Sequence, residues 1–201
     1  MAKTSYLSPA KINLFLHITS KRADGYHNLQ TIFQLLDFCD EIKLSVRQDG
    51  QINRTSGNED IPAKDDLLIK SARALKIYAD CSLGVDISID KKIPAGGGLG
   101  GGSSNAATVL LALNELWQLN LDEKILLEIG QTLGADVPVF VKGKSAWAEG
   151  IGEILEAMEL PEYHYLVVSI NKHISTAEIF SHKALTMTPV QRKIPDFSRL
   201  S

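Results

Sequence analysis

The sequence predicts a mixed α/β (α+β) domain, and three observations predict it. Short runs in which apolar and polar residues alternate, the period of a strand, recur at Ala10–Ile18, Ile42–Val46 and Val85–Ile89. Stretches with helical spacing interleave with and follow them, at about Asp66–Tyr78, Ser103–Leu119 and Asp122–Leu133. The third observation is a glycine cluster. Of 15 glycines, six (Gly96, Gly97, Gly98, Gly100, Gly101 and Gly102) fall within seven positions, between a strand pattern and a helix pattern.

Each element has a local reason. In Ala10–Ile18 the residues Ala10, Ile12, Leu14, Leu16 and Ile18 make one face, so Lys11 and Asn13 project together from the other. Lys21–Gln30 carries the turn pair Asp24-Gly25, followed by Tyr26 and His27. Gln48–Lys64 is polar, contains Gly50, Gly57 and Pro62, and reads as a hairpin or loop. Asp65 or Asp66 supplies a cap for the first helix, with Leu68, Ala72 and Leu75 on one stripe. Gly134 stops the helix Asp122–Leu133. Strands are expected at Pro138–Lys142, at Ala146–Glu149 and, fully buried, at His164–Ile170. Trp117 falls in the apolar stripe of its helix and is assigned to the core. Cys39 and Cys81 have neither metal-ligand nor disulfide spacing and read as small buried apolar residues. Leu185–Ser201, with Pro189 and Pro195, has no period; it is expected as a tail or as a chain truncated inside a larger fold.

Composition narrows the function classes. With 201 residues, 44% apolar and 22% charged, the chain has ordinary globular composition and fits one large domain or one and a half. A net charge of -3, from 21 Lys+Arg against 24 Asp+Glu, argues against a nucleic-acid partner held by phosphate neutralisation. No apolar run approaches the roughly 20 residues that span a bilayer, and MAKTSYLSPAKIN lacks the apolar core of a signal peptide. The expectation is a cytoplasmic protein with no membrane partner.

The glycine cluster is read as a phosphate cradle. Glycine tolerates positive φ and lets backbone N–H groups approach a ligand with no Cβ in the way. Successive amides then curl into an anion nest, and the following helix adds its positive end. Ser103 and Ser104 are placed to cap that helix or to turn a hydroxyl toward a phosphate or its Mg²⁺. No Lys-Ser/Thr pair follows the last glycine, so this is not a Walker A loop, and the acidic residue of a dinucleotide fingerprint is missing. A flexible linker is the bland alternative; a linker would not abut a strand on one side and a helix on the other.

Pro94–Ala107, PAGGGLGGGSSNAA, resembles the ATP-phosphate loop of the GHMP kinases, the group of galactokinase, homoserine kinase and mevalonate kinase. Three further motifs resemble the branch of that family acting on diphosphocytidyl methylerythritol: Ser8-Pro9-Ala10-Lys11-Ile12-Asn13-Leu14, Arg22-Ala23-Asp24-Gly25-Tyr26-His27 and Gly134-Ala135-Asp136-Val137-Pro138. The resemblance runs from about Ser8 to Phe180. It implies a GHMP-kinase N-terminal domain over residues 1–160, with a fold like the second domain of ribosomal protein S5, and only the start of a truncated C-terminal domain over 161–201. It implies ATP and Mg²⁺, a small-molecule substrate phosphorylated on its 2-hydroxyl on the non-mevalonate route to isoprenoid precursors, and leaves a homodimer open.

The same resemblance assigns roles. Asp136, at the boundary between a helix stop and Pro138, is expected as the base that accepts the hydroxyl proton. Lys11 is expected to orient Asp136 and offset charge on the transferring phosphoryl group. The ATP loop would be Pro94, Ala95, Gly96, Gly97, Gly98, Leu99, Gly100, Gly101, Gly102, Ser103 and Ser104. Asp66, Leu67 and Lys91 are the adenine-side candidates, Asp66 standing where the resemblance leads one to expect asparagine. Asn13 is assigned to substrate, as are Tyr26, His27, Thr176 and Phe180 around the cytosine. The alternatives are a sister kinase for a smaller alcohol or sugar, which the ADGYH motif argues against, an RNA-binding domain, which the charge argues against, and an inactive nucleotide-binding fragment.

Overall fold

The computed structural model describes residues 4–168 together with 179–180, 182, 185–188 and 193–194. Ten elements follow in the order β1 (Thr4–Lys21), β2 (His27–Arg47), β3 (Ile52–Ser56), α1 (Leu67–Tyr78), β4 (Gly84–Asp90), α2 (Gly101–Leu116), α3 (Glu123–Leu133), α4 (Val137–Lys142), β5 (Ala146–Glu149) and β6 (Ile154–Ala157). The mixed class is as expected.

β2 is the spine of the sheet. β1 runs antiparallel along it, from the pair Thr4–Leu44 to the pair Lys21–His27. The other edge of β2 is shared: Glu41–Arg47 pair with β4, and Thr31–Phe33 pair with β5. β6 extends the sheet beyond β5, and β3 joins β4 in parallel. The order is β3-β4-β2-β5-β6, with β1 on β2. Alternation made these strands for the usual reason. Ile42 and Leu44 of β2 and Val85 and Ile87 of β4 are at most 1% exposed, and each such side chain contributes on the order of 1.5–3 kcal/mol on burial.

The helices gather around α2, which touches α1, α3, α4, β1 and β2. Its buried Ala106, Ala107 and Ala112 permit close approach, while Val109, Leu110 and Leu113 fill the core. Asp66 caps α1 by accepting from the Leu68 amide at 2.9 Å. Among the described residues no helix is long and apolar enough to cross a membrane.

Four expectations change. Pro138–Lys142 is not a strand but lies in α4, with the proline in the first helical turn and Gly143 closing the helix at φ 63°. A short apolar run has no period that separates a buried strand from a buried helix. Within His164–Ile170 the described residues carry no strand, and Leu166 is 92% exposed; residues 169 and 170 lie outside the described ones. The polar stretch Gln48–Lys64 contains β3, which Ile52–Arg54 join to Val85–Ile87. In β1 the apolar face holds only in part: Ala10 and Ile18 are buried, whereas Leu14 and Leu16 are exposed. The register with β2 slips between Asn13 and Leu16, where β1 carries one extra residue, so Leu14 has no partner in the ladder. Trp117 is in the core as expected, its indole N–H donating to the Gly84 carbonyl at 3.3 Å.

Candidate active site

The glycine loop leaves β4 at Asp90 and enters α2 at Gly101. Positive φ alternates along it, at Gly96 (73°), Gly98 (71°) and Gly100 (70°), the alternation that turns successive amides toward one concave side. Gly98 is open to solvent, with no atom within 4 Å of where a Cβ would stand. Gly100 is the opposite: a Cβ there would meet the Phe140 ring at 2.8 Å and the Lys11 Cγ at 3.1 Å. The loop is pegged by Leu99, which packs with Ala10 and Ile93, and whose carbonyl accepts from the Lys11 amide at 2.9 Å. Gly100 is also the helix N-cap and offers no side chain, so neither Ser103 nor Ser104 caps α2. Ser104 is fully buried and its hydroxyl accepts from the Ser8 hydroxyl at 2.8 Å; Ser103 is partly exposed.

Lys11 is therefore brought against the loop by its own backbone. Its side chain is buried, with Nζ 3.3 Å from Asp136 Oδ2 and 2.6 Å from Asn13 Oδ1, and 5.2 Å above the centre of the Phe33 ring. The expectation that Lys11 and Asn13 share a face holds. Asn13 is fixed in turn by Thr31, whose hydroxyl accepts from Asn13 Nδ2 at 2.8 Å and donates to the Phe15 carbonyl. Since the hydroxyl spends its one proton on Phe15, it meets the amide as an acceptor, and Asn13 turns its oxygen to Lys11.

Asp136 sits between Gly134, which ends α3, and Val137, which begins α4. The two helices touch closely: a Cβ on Gly130 would stand 2.9 Å from Val137 Cγ1. Asp136 makes no capping bond to α4, and its side chain is 36% exposed. The carboxylate is thus anchored at one side by Lys11 and open at the other.

The remaining candidates divide. His27 and Phe180 come together, ring centroids 5.4 Å apart and tilted by 44°, beside a cleft lined by Leu16, His17, Ile18, Leu185 and Thr188. Tyr26 is 60% exposed on the turn, where Asp24 accepts from its amide at 3.1 Å. A hydrogen bond from Arg22 holds the Asp24 carboxyl below its usual value. Thr176 lies outside the described residues. Leu67 borders the exit of the loop, its Cδ1 3.5 Å from a Cβ built on Gly102. Asp66 turns its side chain into the protein. It is 2% exposed, caps α1 and pairs with Arg54 at 2.5 Å, so its oxygens are engaged. Lys91 lies beside the loop, with its ammonium 2.5 Å from Asp40. Sequence reasoning missed Asp40, Asn105, Thr31 and Phe33. Asp40 did leave a signal, being a carboxylate in phase with Ile42 and Leu44 on the buried face of β2; Thr31 and Phe33 left none.

Comparison with known proteins places this arrangement. Residues 66–144 match the GHMP kinases N terminal domain family. The chain is 60% identical over 197 residues to the 4-diphosphocytidyl-2-C-methyl-D-erythritol kinase of Ruthia magnifica subsp. Calyptogena magnifica, covering 98% of this chain and 69% of that one. It is 53% identical to the kinase of the same name from Burkholderia mallei, covering 95% of this chain and 65% of that one. A crystal structure of 4-(cytidine 5'-diphospho)-2C-methyl-D-erythritol kinase, 40% identical, superposes with a TM-score of 0.65 over 79% of this chain and 56% of that chain. Methanococcus jannaschii mevalonate kinase, 14% identical, shares the fold with a TM-score of 0.58 over 79% of this chain and 56% of its own. The chain thus spans about two thirds of the length of these curated relatives and just over half of the solved ones. It belongs to the GHMP kinases, in their 4-diphosphocytidyl-2-C-methyl-D-erythritol kinase family.

Proposed function

We propose that this chain carries the nucleotide loop and the catalytic pair of a kinase that transfers the γ-phosphoryl group of ATP to the 2-hydroxyl of 4-diphosphocytidyl-2-C-methyl-D-erythritol. Residues 1–160 form the ATP-binding unit in this reading. The observation that supports it most is the convergence of loop, lysine and carboxylate: the Lys11 amide bonds the Leu99 carbonyl at 2.9 Å while its ammonium stands 3.3 Å from Asp136.

Phosphoryl transfer asks the protein chiefly for positioning and charge stabilisation. The amides of Gly96–Gly102 and the start of α2 would grip the phosphates, and the exposed face of Ser103 would add a hydroxyl. Mg²⁺ would arrive on the ATP phosphates and neutralise part of their charge; among the described residues no group of three or more His, Cys, Asp or Glu gathers to hold a metal ion by itself. The substrate hydroxyl attacks phosphorus as the bond from phosphorus to the β–γ bridging oxygen breaks, and its proton passes to the open oxygen of Asp136. Lys11 holds the other side of that carboxylate and offsets negative charge on the transferring group. Asn13 keeps the ammonium in place. His27, Phe180 and Tyr26 would hold the cytosine, an aromatic face being worth ~1–3 kcal/mol per base stacked.

The test is an assay of the chain with ATP, Mg²⁺ and the diphosphocytidyl substrate, following ADP release and the phosphorylated product by mass spectrometry. Product carrying phosphate on the 2-oxygen is expected. Equal turnover with galactose or homoserine would point to a sister kinase, and ATP binding without product would reduce the reading to a nucleotide-binding unit.

A further inference from the structure

A glycine-rich loop is the most expensive backbone to order, because glycine loses more conformational freedom than any other residue. Pro94–Gly98 are exposed, so the loop's shape must be set at its ends. We propose that Asp40 is the positioning residue of the nucleotide loop, its buried carboxylate tying the loop's entry and the N-terminal part of α2 to the sheet. The inference rests on the nucleotide-binding reading above and deepens it.

Asp40 is fully buried. One oxygen accepts from the backbone amides of Lys92 at 2.7 Å and Ile93 at 2.8 Å, where the chain enters the loop. The other accepts from Lys91 Nζ at 2.5 Å and from Asn105 Nδ2 at 2.9 Å, where the chain has left it. Four donors fill the carboxylate. Asn105 Nδ2 also donates to the Ser8 hydroxyl at 2.8 Å, which donates to Ser104 at 2.8 Å. Strands β1 and β2, the loop entry and the N-terminal part of α2 thus form one buried hydrogen-bonded unit. Burial by itself would raise the Asp40 carboxyl, but the bonds from Ile93, Lys91, Asn105 and Lys92 outweigh it and hold the group below its ordinary value.

The same carboxylate aims Lys91. The ammonium, also 3.3 Å from Asn105 Oδ1, stands 3.1 Å from where a Cβ on Gly101 would be. A positive charge is thereby fixed beside the first residue of α2, where the helix end already favours an anion. Without Asp40, two backbone amides, that of Ile93 buried, lose their acceptor and Lys91 is free to swing.

The test measures ATP binding to the whole chain by calorimetry, and steady-state kinetics for both substrates. Asp40→Asn keeps an acceptor for the two amides but sets its NH₂ against Lys91 and Asn105. ATP affinity should fall at least about tenfold, the scale of one lost charge-assisted hydrogen bond. The KM for the diphosphocytidyl substrate, and kcat at saturating ATP, should stay within about twofold, since the damage is confined to the ATP side. The exchanged pair Asp40→Asn with Asn105→Asp returns a carboxylate to Lys91 and should recover ATP affinity to within about threefold. If Asp40→Asn alone does not fold, the exchanged pair decides: folded with affinity regained supports the role, folded with affinity still lost overturns it. An equal loss in all three kinetic constants, or ATP affinity unchanged in Asp40→Asn, also overturns it. No ATP binding by the wild-type chain would overturn the kinase reading and this inference with it.

Discussion

Two lysine–aspartate pairs flank the glycine loop, and they are built differently. Lys91 and Asp40 stand 2.5 Å apart, the carboxylate fully buried and filled by four donors. Lys11 and Asp136 stand 3.3 Å apart, and here the lysine is buried while the carboxylate is 36% exposed and caps nothing. A carboxylate whose lone pairs are all engaged cannot take up a proton without breaking several bonds; one that is open on one side can. In the proposed mechanism, burial of the anion in one pair and of the cation in the other separates holding from chemistry.

The largest effect expected is on the open pair. Asp136→Asn should lower kcat on the order of 10²–10⁴-fold, as loss of a general base does, with ATP affinity unchanged by calorimetry. A kcat within a few-fold of wild type would erase the distinction between the two pairs. Lys11→Met keeps the buried stem and removes the charge; kcat should fall on the order of 10²–10³-fold, as when one preorganised electrostatic contact is deleted. A loss seen in KM for ATP alone would move Lys11 to the binding side.

Smaller effects sharpen the contrast between structure and site. Asp66→Ala removes a helix cap and its ion pair with the part-exposed Arg54, so denaturant titration should show a loss of about 2 kcal/mol, roughly half of it the cap. ATP affinity should stay the same; a fall specific to ATP would return Asp66 to the adenine. The smallest effect is a pH dependence. Because the folded Asp40 carboxyl lies below its ordinary value, its contribution is fully present above the unfolded carboxylate pKa of about 3.9 and fades as pH falls through the folded one. The groups that face it are the Lys91 ammonium, the Asn105 side-chain amide and the Lys92 and Ile93 backbone amides. Melting curves between pH 7 and pH 3 should therefore draw the wild type and Asp40→Asn together at the acid end, and a gap that widens there would contradict the assignment.

Much of the site could be read before the fold was known, because it is written in local chemistry. The glycine cluster needs positive φ at alternate positions, Lys11 and Asn13 lie two apart on one strand, and Asp136 sits where one helix stops and the next begins. Asp66 was legible as a cap, but its ion pair was not, since its Arg54 partner lies on a strand that the polar loop concealed.

The sequence alone determined the spacing of polar and apolar side chains, the caps and the glycines, and with them most strands, three helices and the loop. These depend on neighbours two to four residues away, and periodicity records them. Tertiary structure alone decided that Val137–Lys142 coils into a helix, that Leu14 and Leu16 face outward, and that Asp40 grips donors 51 to 65 residues distant. A short apolar run carries no period, a register slip is set by the partner strand, and a long-range hydrogen bond exists only once both ends have been packed.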